Sequence, residues 1–370
     1  MGKLIKRIKN IKWTKKKIAI LCISLLLLIA LITTLIIVLQ PKKNNEETPV
    51  DEIKQEVKEE PKVTIVDVNS KSRPYAVMIN NHPTARLYHS GLQDAYIVYE
   101  LIVEGGMTRY MAVFKDQNTA KIGSVRSARH YFLDYAMEND AYYTHWGWSP
   151  QAEGDIKSLG INNINGLIYS GTYFYRENLN VSMEHTGFTT MEMLNKAVDK
   201  LGYRKETNKK LLLNYTPNKV ELNNMENSQK ADEVTIKYSN SVVDKYVYDE
   251  ENGYYLRFVN GKEHKDYPTG KQYHFKNIIT YQVSNSSIAG DDKGRQDFNN
   301  IGSGEGYYIT NGYAIKIKWS KSKGDEQTKY TYLDGKEIDV SDGNTFIQIQ
   351  PTGQGLNIVS NEKQEVEKTE

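Results

Sequence analysis

Cysteine is all but missing from this chain. Cys22 is the single one among 370 residues, so nothing after it can form a disulfide or offer a thiolate to a metal, and a folded part must be held by core burial. Acidic residues are missing from the first seventeen positions, which carry Lys3, Lys6, Arg7, Lys9, Lys12, Lys15, Lys16 and Lys17. From Ile18 to Leu39 charge of either sign is missing over twenty-two residues. At about 1.5 Å per residue, a helix of that length covers the roughly 30 Å of bilayer hydrocarbon, where backbone groups must pair within the segment. The sequence therefore predicts a single-pass transmembrane helix over 18–39, with the basic leader 1–17 in the cytoplasm and the bulk of the chain extracytoplasmic. A cleavable signal would have an apolar stretch of about 7–15 residues and a small-residue site behind it. Instead Val38-Leu39-Gln40 runs into Pro41. Cys22 stands near the start of the apolar run, whereas a lipid-bearing cysteine would follow it, so an uncleaved signal anchor is expected.

Removing the eight leading positives from the formal charge of +2 leaves −6 for the remainder. Its overall attraction to polyanions is weak, and no nucleic-acid partner is expected. Residues 40–62 are rich in Lys, Glu, Asn and Pro with almost no apolar side chains, which predicts a solvated stalk. Residues 63–204 mix strand-like runs (Val63–Val66, Tyr75–Ile79, Arg109–Phe114) with helix starts at Ser149-Pro150 and at a Thr189/Glu192 capping box opening Met191–Leu201. This predicts an α+β or α/β first domain with a mixed sheet. Residues 205–230 read as a linker. Residues 231–353 read as a mostly antiparallel β domain, with hairpin dipeptides at Asn260-Gly261, Asn311-Gly312 and Asp334-Gly335. Within it, 284–306 reads as a long loop, and 354–370 as a disordered tail.

The best candidate for chemistry is Gly123-Ser124-Val125-Arg126-Ser127-Ala128-Arg129-His130. Ser124 is expected to cap a helix carrying Arg126 in its first turn, with Arg129 and His130 on the same face. Cations at that end oppose the helix dipole unless an anion is present, and guanidinium forks suit phosphate or carboxylate. The plainer reading pairs these arginines with Glu100 and Glu104, carboxylates within or beside an apolar segment where an unpaired charge is costly. Glu104-Gly105-Gly106 reads as a tight turn between two strands and carries no Walker or dinucleotide spacing. His130, His145 and His185 fall in the first domain, but no pair has helical metal-site spacing, and no metal or cofactor is expected. His145 sits in the aromatic run Tyr142 to Trp148, which leads into a helix start, a place where ligand sites commonly form. No Gly-x-Ser-x-Gly elbow exists, and the carboxylates of 291–297 lack the ligand spacing of a calcium loop.

Ser72-Arg73-Pro74-Tyr75-Ala76-Val77-Met78-Ile79-Asn80-Asn81, Ile97-Val98-Tyr99-Glu100, Val103 to Arg109, and Val125-Arg126-Ser127-Ala128-Arg129 resemble the YerB family of bacterial surface proteins in order and spacing. Phe174-Tyr175-Arg176 and His185 look like a later family block, and Trp319, Lys321, Asp334 and Gly335 like the family's second domain. The resemblance covers roughly Val63 to Pro351. It implies an envelope protein, usually a lipoprotein, with amino- and carboxy-terminal YerB-like domains and no settled activity. Its recurrent charged positions fall on Glu100, Glu104, Arg109, Arg126, Arg129 and Arg176. Coming from separate segments, they suit a shared ligand pocket, with His145 and His185 beside them. The leading reading is a noncatalytic envelope protein that binds an anionic cell-wall component or a membrane-protein partner. A second is an enzyme on an anionic glycan or lipid-linked phosphate, with Glu104 or His145 moving a proton. A third is a spacer whose arginines are all internally paired.

Overall fold

The computed structural model describes Lys16, residues 23–24, 26–33 and 62–361. It divides into two units, residues 1–59 and 60–370. In the first, residues 23–24 and 26–33 are helical, with exposed Leu and Ile side chains. Among the described residues no helix is long and apolar enough to cross a membrane. The expected spanning helix over 18–39 therefore is not shown as one, and the rest of that run lies outside the described residues, as do the leader apart from Lys16 and the stalk apart from Lys62.

In the second unit, strands β1 (Tyr75–Asn80), β2 (Ile97–Ile102), β3 (Thr108–Phe114), β4 (Tyr142–His145) and β5 (Asn163–Asn165) come from the first half. The second half supplies β6 (Glu233–Lys237), β7 (Val243–Asp249), β8 (Tyr254–Val259), β9 (Asn277–Val283), β10 (Gly302–Thr310), β11 (Tyr313–Lys321), β12 (Thr345–Pro351) and β13 (Leu356–Val359). One mixed sheet of eleven strands runs Ser228–Lys230, β11, β10, β9, β12, β2, β3, β1, β4, β5, with Lys329–Tyr332 on β11. β12 is inserted between β9 and β2, parallel to both, so Glu100 faces Gln348 across the ladder. The sheet thus crosses the expected 205–230 boundary. β1, β2, β3 and β12 are buried at every position, as strands covered on both faces must be.

A second, antiparallel sheet runs Lys262–Glu263, β8, β7, β6, β13, with His274–Phe275 on β8. Here burial alternates: Tyr255, Arg257 and Val259 of β8 point inward, as do Asp244 and Tyr246 of β7. These inward side chains meet β2 and β12: the Tyr246 hydroxyl accepts from Gln348 Nε2 at 2.7 Å, and the Tyr238 hydroxyl donates to the Glu100 carbonyl at 2.9 Å. The mixed sheet followed by antiparallel β is the expected fold class.

Several local expectations are corrected. Val63–Val66 is not a strand, because the amides of Thr64 and Ile65 each donate at 2.9 Å to the Asp342 carboxylate rather than to a ladder. Segment 205–230 packs on the core through Leu212, Leu213, Tyr215, Val220 and Leu222, and Asn214–Thr216 pairs with Asp339–Ser341. The loop 284–306 contains the pair Asn285–Ser287 and Gln296–Phe298, and β10 starts inside it. The tail begins with β13, which packs Leu356 and Ile358 against the core, while 362–370 lie outside the described residues. Thr190, not Thr189, caps the helix Met191–Leu201, accepting from Met193 N at 3.0 Å. Ser149 caps the helix Pro150–Ser158 as expected.

Candidate functional site

The segment around Arg126 is extended rather than helical. Its backbone threads between strand ends: Val125 N donates to Gly187 O at 2.7 Å, Arg126 N to Met78 O at 2.9 Å, and Ala128 N to Gly147 O at 2.9 Å, while Trp146 N returns to Arg126 O at 2.9 Å. Ser124 caps nothing, and its hydroxyl is buried without a partner among the described residues. The first helical turn starts only at His130. This conformation changes what a spacing of three means. On a helix Arg126 and Arg129 would share a face, whereas on extended chain they point to opposite sides.

Arg129 turns inward to Glu104, with Nε 2.5 Å from Oε1 and Nη2 2.9 Å from Oε2. Arg109 approaches the same carboxylate at 3.9 Å and donates to the Ser127 carbonyl at 2.6 Å. Burial first, then the neighbouring charge of Arg129, pushes the Arg109 guanidinium down to about 9, with Glu104 opposing. Burial would raise Glu104, but the hydrogen bond from Arg129 and the charges of both arginines hold its carboxyl below the usual range. The turn Glu104–Gly106 that carries it uses positive φ at Gly105 and Gly106, +66° and +70°, as a tight reversal requires.

Arg126 faces the other way, into an open cavity of about 430 Å³ lined by Val125, Ser127, Trp146, Gly147, Trp148, Leu167, Arg176, Met183 and Glu184. Its Nη2 meets Glu184 Oε2 at 2.7 Å, and Glu184 is half-exposed, at 51%. Arg176 lies on the short strand Tyr175–Arg176 with its guanidinium 4.1 Å from the Trp146 ring centroid, donating to Met183 O and, at 3.5 Å, to Thr186 Oγ1. Among the described residues no carboxylate pairs with it. Partial burial and then the Arg126 charge lower it from the ordinary guanidinium value. Trp146 is fixed by two glycines: a Cβ at Gly166 or Gly187 would come within 2.6 Å of its ring.

Of the remaining candidates, His145 is buried, with Nδ1 2.8 Å from Gly147 O and Nε2 3.2 Å from Asn163 Oδ1. Burial lowers it to about 4. His185 stacks on His82 at 4.6 Å, with Nδ1 2.9 Å from Asn80 Nδ2 and Nε2 3.5 Å from Glu184. Burial and then the charge of His82 lower it. Glu100 belongs to another place altogether. It is fully buried against Arg257, which bridges Glu100 Oε2 at 2.9 Å and Asp244 Oδ2 at 2.6 Å. Burial and then the Asp244 carboxylate push Glu100 well above the carboxylate range, with Arg257 opposing. The structure therefore unites Arg126, Arg176 and Glu184 at one cleft, keeps Arg109, Arg129 and Glu104 out of its lining as a separate ion-paired group bonded to the Ser127 and Ala128 carbonyls, and separates Glu100 from both. Arg257 was missed, although its inward place in the alternation of Tyr255, Arg257 and Val259 is a signal the sequence contains.

Residues 63–204 match the family described as Protein of unknown function (DUF3048) N-terminal domain, and residues 234–347 match its C-terminal domain. The protein named "Putative lipoprotein YerB" of Bacillus subtilis (strain 168) is 33% identical over 295 residues, 80% of this chain and 84% of that one. A crystal structure of YerB from Bacillus subtilis shares the fold with a TM-score of 0.67 at 30% identity, over 77% of this chain and 94% of that chain. With both domain models met in order, and a relative of that identity matched over most of its length, this chain belongs to the YerB (DUF3048) family.

Proposed function

We propose that this is a membrane-held envelope protein that binds an anionic envelope component in the Arg126–Arg176 cleft without chemically converting it. One observation carries the reading: two guanidiniums face an open cleft that contains a single, half-exposed carboxylate, while the neighbouring arginine pair is closed by Glu104. A phosphate or carboxylate is the group that two such donors match, and Glu184 holds the place of that anion on Arg126. An incoming anion displaces Glu184 toward His185, 3.5 Å away. What supports binding rather than turnover is that both groups read as proton carriers are occupied: Glu104 is spanned by Arg129, and both ring nitrogens of His145 have hydrogen-bond partners. Placement in the envelope draws on the uncharged run at 18–39 and on the relative named "Putative lipoprotein YerB".

The test is a titration of residues 60–370 with a phosphate-bearing wall polymer, using wild type, Arg126→Ala, Arg176→Ala and Glu184→Gln. The arginine variants should bind more weakly and Glu184→Gln more tightly, with all differences shrinking as salt is raised. Four superimposable curves would remove the cleft from the reading. Residues 60–370 suit the test because they form a unit of their own, and the crystallised relative consists almost wholly of the matching part.

A further inference from the structure

Resting on the anion reading, we infer that the ligand of this cleft is an anionic amphiphile, with its charged head between Arg126 and Arg176 and an aliphatic stem laid over Leu167, Ile168 and Met183. The cleft's rim is the evidence. Leu167 and Met183 line it and are 63% and 68% exposed, and Ile168, beside Leu167, is 64% exposed. Leu167 and Met183 thus set two large, exposed apolar side chains in the same cavity lining as the two guanidiniums, a pairing of apolar and cationic surface that suits an amphiphile.

The exposure is built into the backbone. The buried Asn165 side chain accepts from Leu167 N and from Gly147 N, both at 3.0 Å, which ties the two walls together and fixes the short helix Gly166–Tyr169. On the other side Arg176 donates to the carbonyl of Met183, and so does Thr186 Oγ1 at 2.9 Å. The cation that meets the head thus also positions one of the residues that meets the stem.

The kind of apolar surface decides the chemistry of the stem. A sugar ring calls for an open aromatic face, but Gly166, Gly187 and the Arg176 guanidinium crowd the Trp146 ring, and Trp148, half-buried, packs against the His145 ring with centroids 5.4 Å apart, whereas Leu167 and Met183 are the more exposed apolar groups of the lining. What the rim offers is flexible aliphatic side chains and the thioether of Met183, surfaces suited to hydrocarbon. A cavity of about 430 Å³ holds a head group and the start of a chain, leaving the remainder of the stem outside.

Two of the three tryptophans in residues 60–370, Trp146 and Trp148, line the cleft, so intrinsic fluorescence reports its filling. Residues 60–370 are titrated with monomeric dioctanoyl phosphatidic acid, its neutral counterpart dioctanoyl phosphatidylcholine, and inorganic phosphate. The proteins are wild type, Arg126→Ala/Arg176→Ala and Leu167→Asn/Met183→Gln; the last pair is at exposed positions and leaves the charge of the cleft unchanged, and circular dichroism checks each fold. The expected result is that the acid amphiphile binds at least about tenfold more tightly than phosphate and that Leu167→Asn/Met183→Gln removes this difference while leaving phosphate binding in place. The arginine variant should lose both. Equal affinities for amphiphile and phosphate, untouched by Leu167→Asn/Met183→Gln, would overturn the amphiphile inference and leave the anion reading standing. Curves unaffected by the arginine changes would sink both. Co-sedimentation with phosphatidylcholine vesicles, with and without phosphatidylglycerol, separates the sources. Capture by the anionic vesicles identifies a lipid within a bilayer, and binding of the monomeric amphiphile alone identifies a free one.

Discussion

Replacing Arg257 by Met should be among the most damaging single changes in the folded unit, and the damage should depend on pH. The guanidinium is fully buried between the two sheets, 2.9 Å from Glu100, 2.6 Å from Asp244, 3.1 Å from the Tyr246 hydroxyl and 2.9 Å from His264 Nδ1. Methionine fills similar space but leaves two carboxyl groups without a cation. Removing one partner of a buried ion pair costs about 3–5 kcal/mol, because the other charge stays desolvated and unpaired. The sign of the pH effect follows from protons. Glu100 is held above its ordinary value of 4.5, so above that pH the folded protein retains a proton that the unfolded chain has released, and stability falls as pH rises. Without Arg257 the cation that opposes this shift is gone, so the Glu100 proton is held to still higher pH. The penalty should therefore shrink by up to about 1.4 kcal/mol for each pH unit descended from neutral toward the carboxylate range. Urea unfolding of wild type and Arg257→Met at about pH 7 and about pH 5 measures both quantities. A loss under about 1 kcal/mol, or an equal loss at the two pH values, would refute the assignment of this cluster as a clamp between the sheets.

Other consequences are simpler to read. Glu104→Gln should cost about 2–3 kcal/mol at neutral pH by stranding Arg109 and Arg129. Because Glu104 sits below the ordinary carboxylate range, its contribution is present above that range and fades on acidification. Wild type and variant should thus converge at low pH in denaturant melts, and parallel curves would contradict the pairing. Gly187→Ala drives a methyl to within 2.6 Å of the rigid Trp146 ring, which predicts a loss of about 1–3 kcal/mol and a shifted tryptophan emission. Gly154→Ala, on the open face of the helix Pro150–Ser158 with nothing near its Cβ, should instead stabilise by about 0.5–1 kcal/mol, visible as a raised Tm.

Much of the fold was legible because local chemistry and final position agree. Ser149-Pro150 opens a helix, Asn311-Gly312 joins β10 to β11 with positive φ at both residues, and the unbroken apolar runs of β1 and β2 lie where both faces are covered. What the sequence hid is set by contacts far apart along the chain. β12 enters the sheet between β9 and β2, and nothing in its own residues says so. Glu100 finds its cation 157 residues away rather than among the nearby arginines. The candidate site divides the same way. Arg126, Arg129 and Glu104 were recognisable as a charged group, but a helix was the wrong frame, because main-chain bonds to Met78, Gly147 and Gly187 keep the segment extended. That single difference sends Arg129 inward to Glu104 and Arg126 outward to the cleft. The apolar rim at Leu167 and Met183 gave no signal, since neither motif nor periodicity distinguishes an exposed Leu from a buried one.

The reading stands or falls on whether the cleft holds an anion in the living cell. A photo-reactive residue placed at Leu167, on the rim, should crosslink in the native host to a phosphate- or carboxylate-bearing envelope molecule, and the adduct should vanish when Arg126 and Arg176 are both changed to Ala. An adduct that survives loss of both arginines, or one carrying no acidic group, would contradict it.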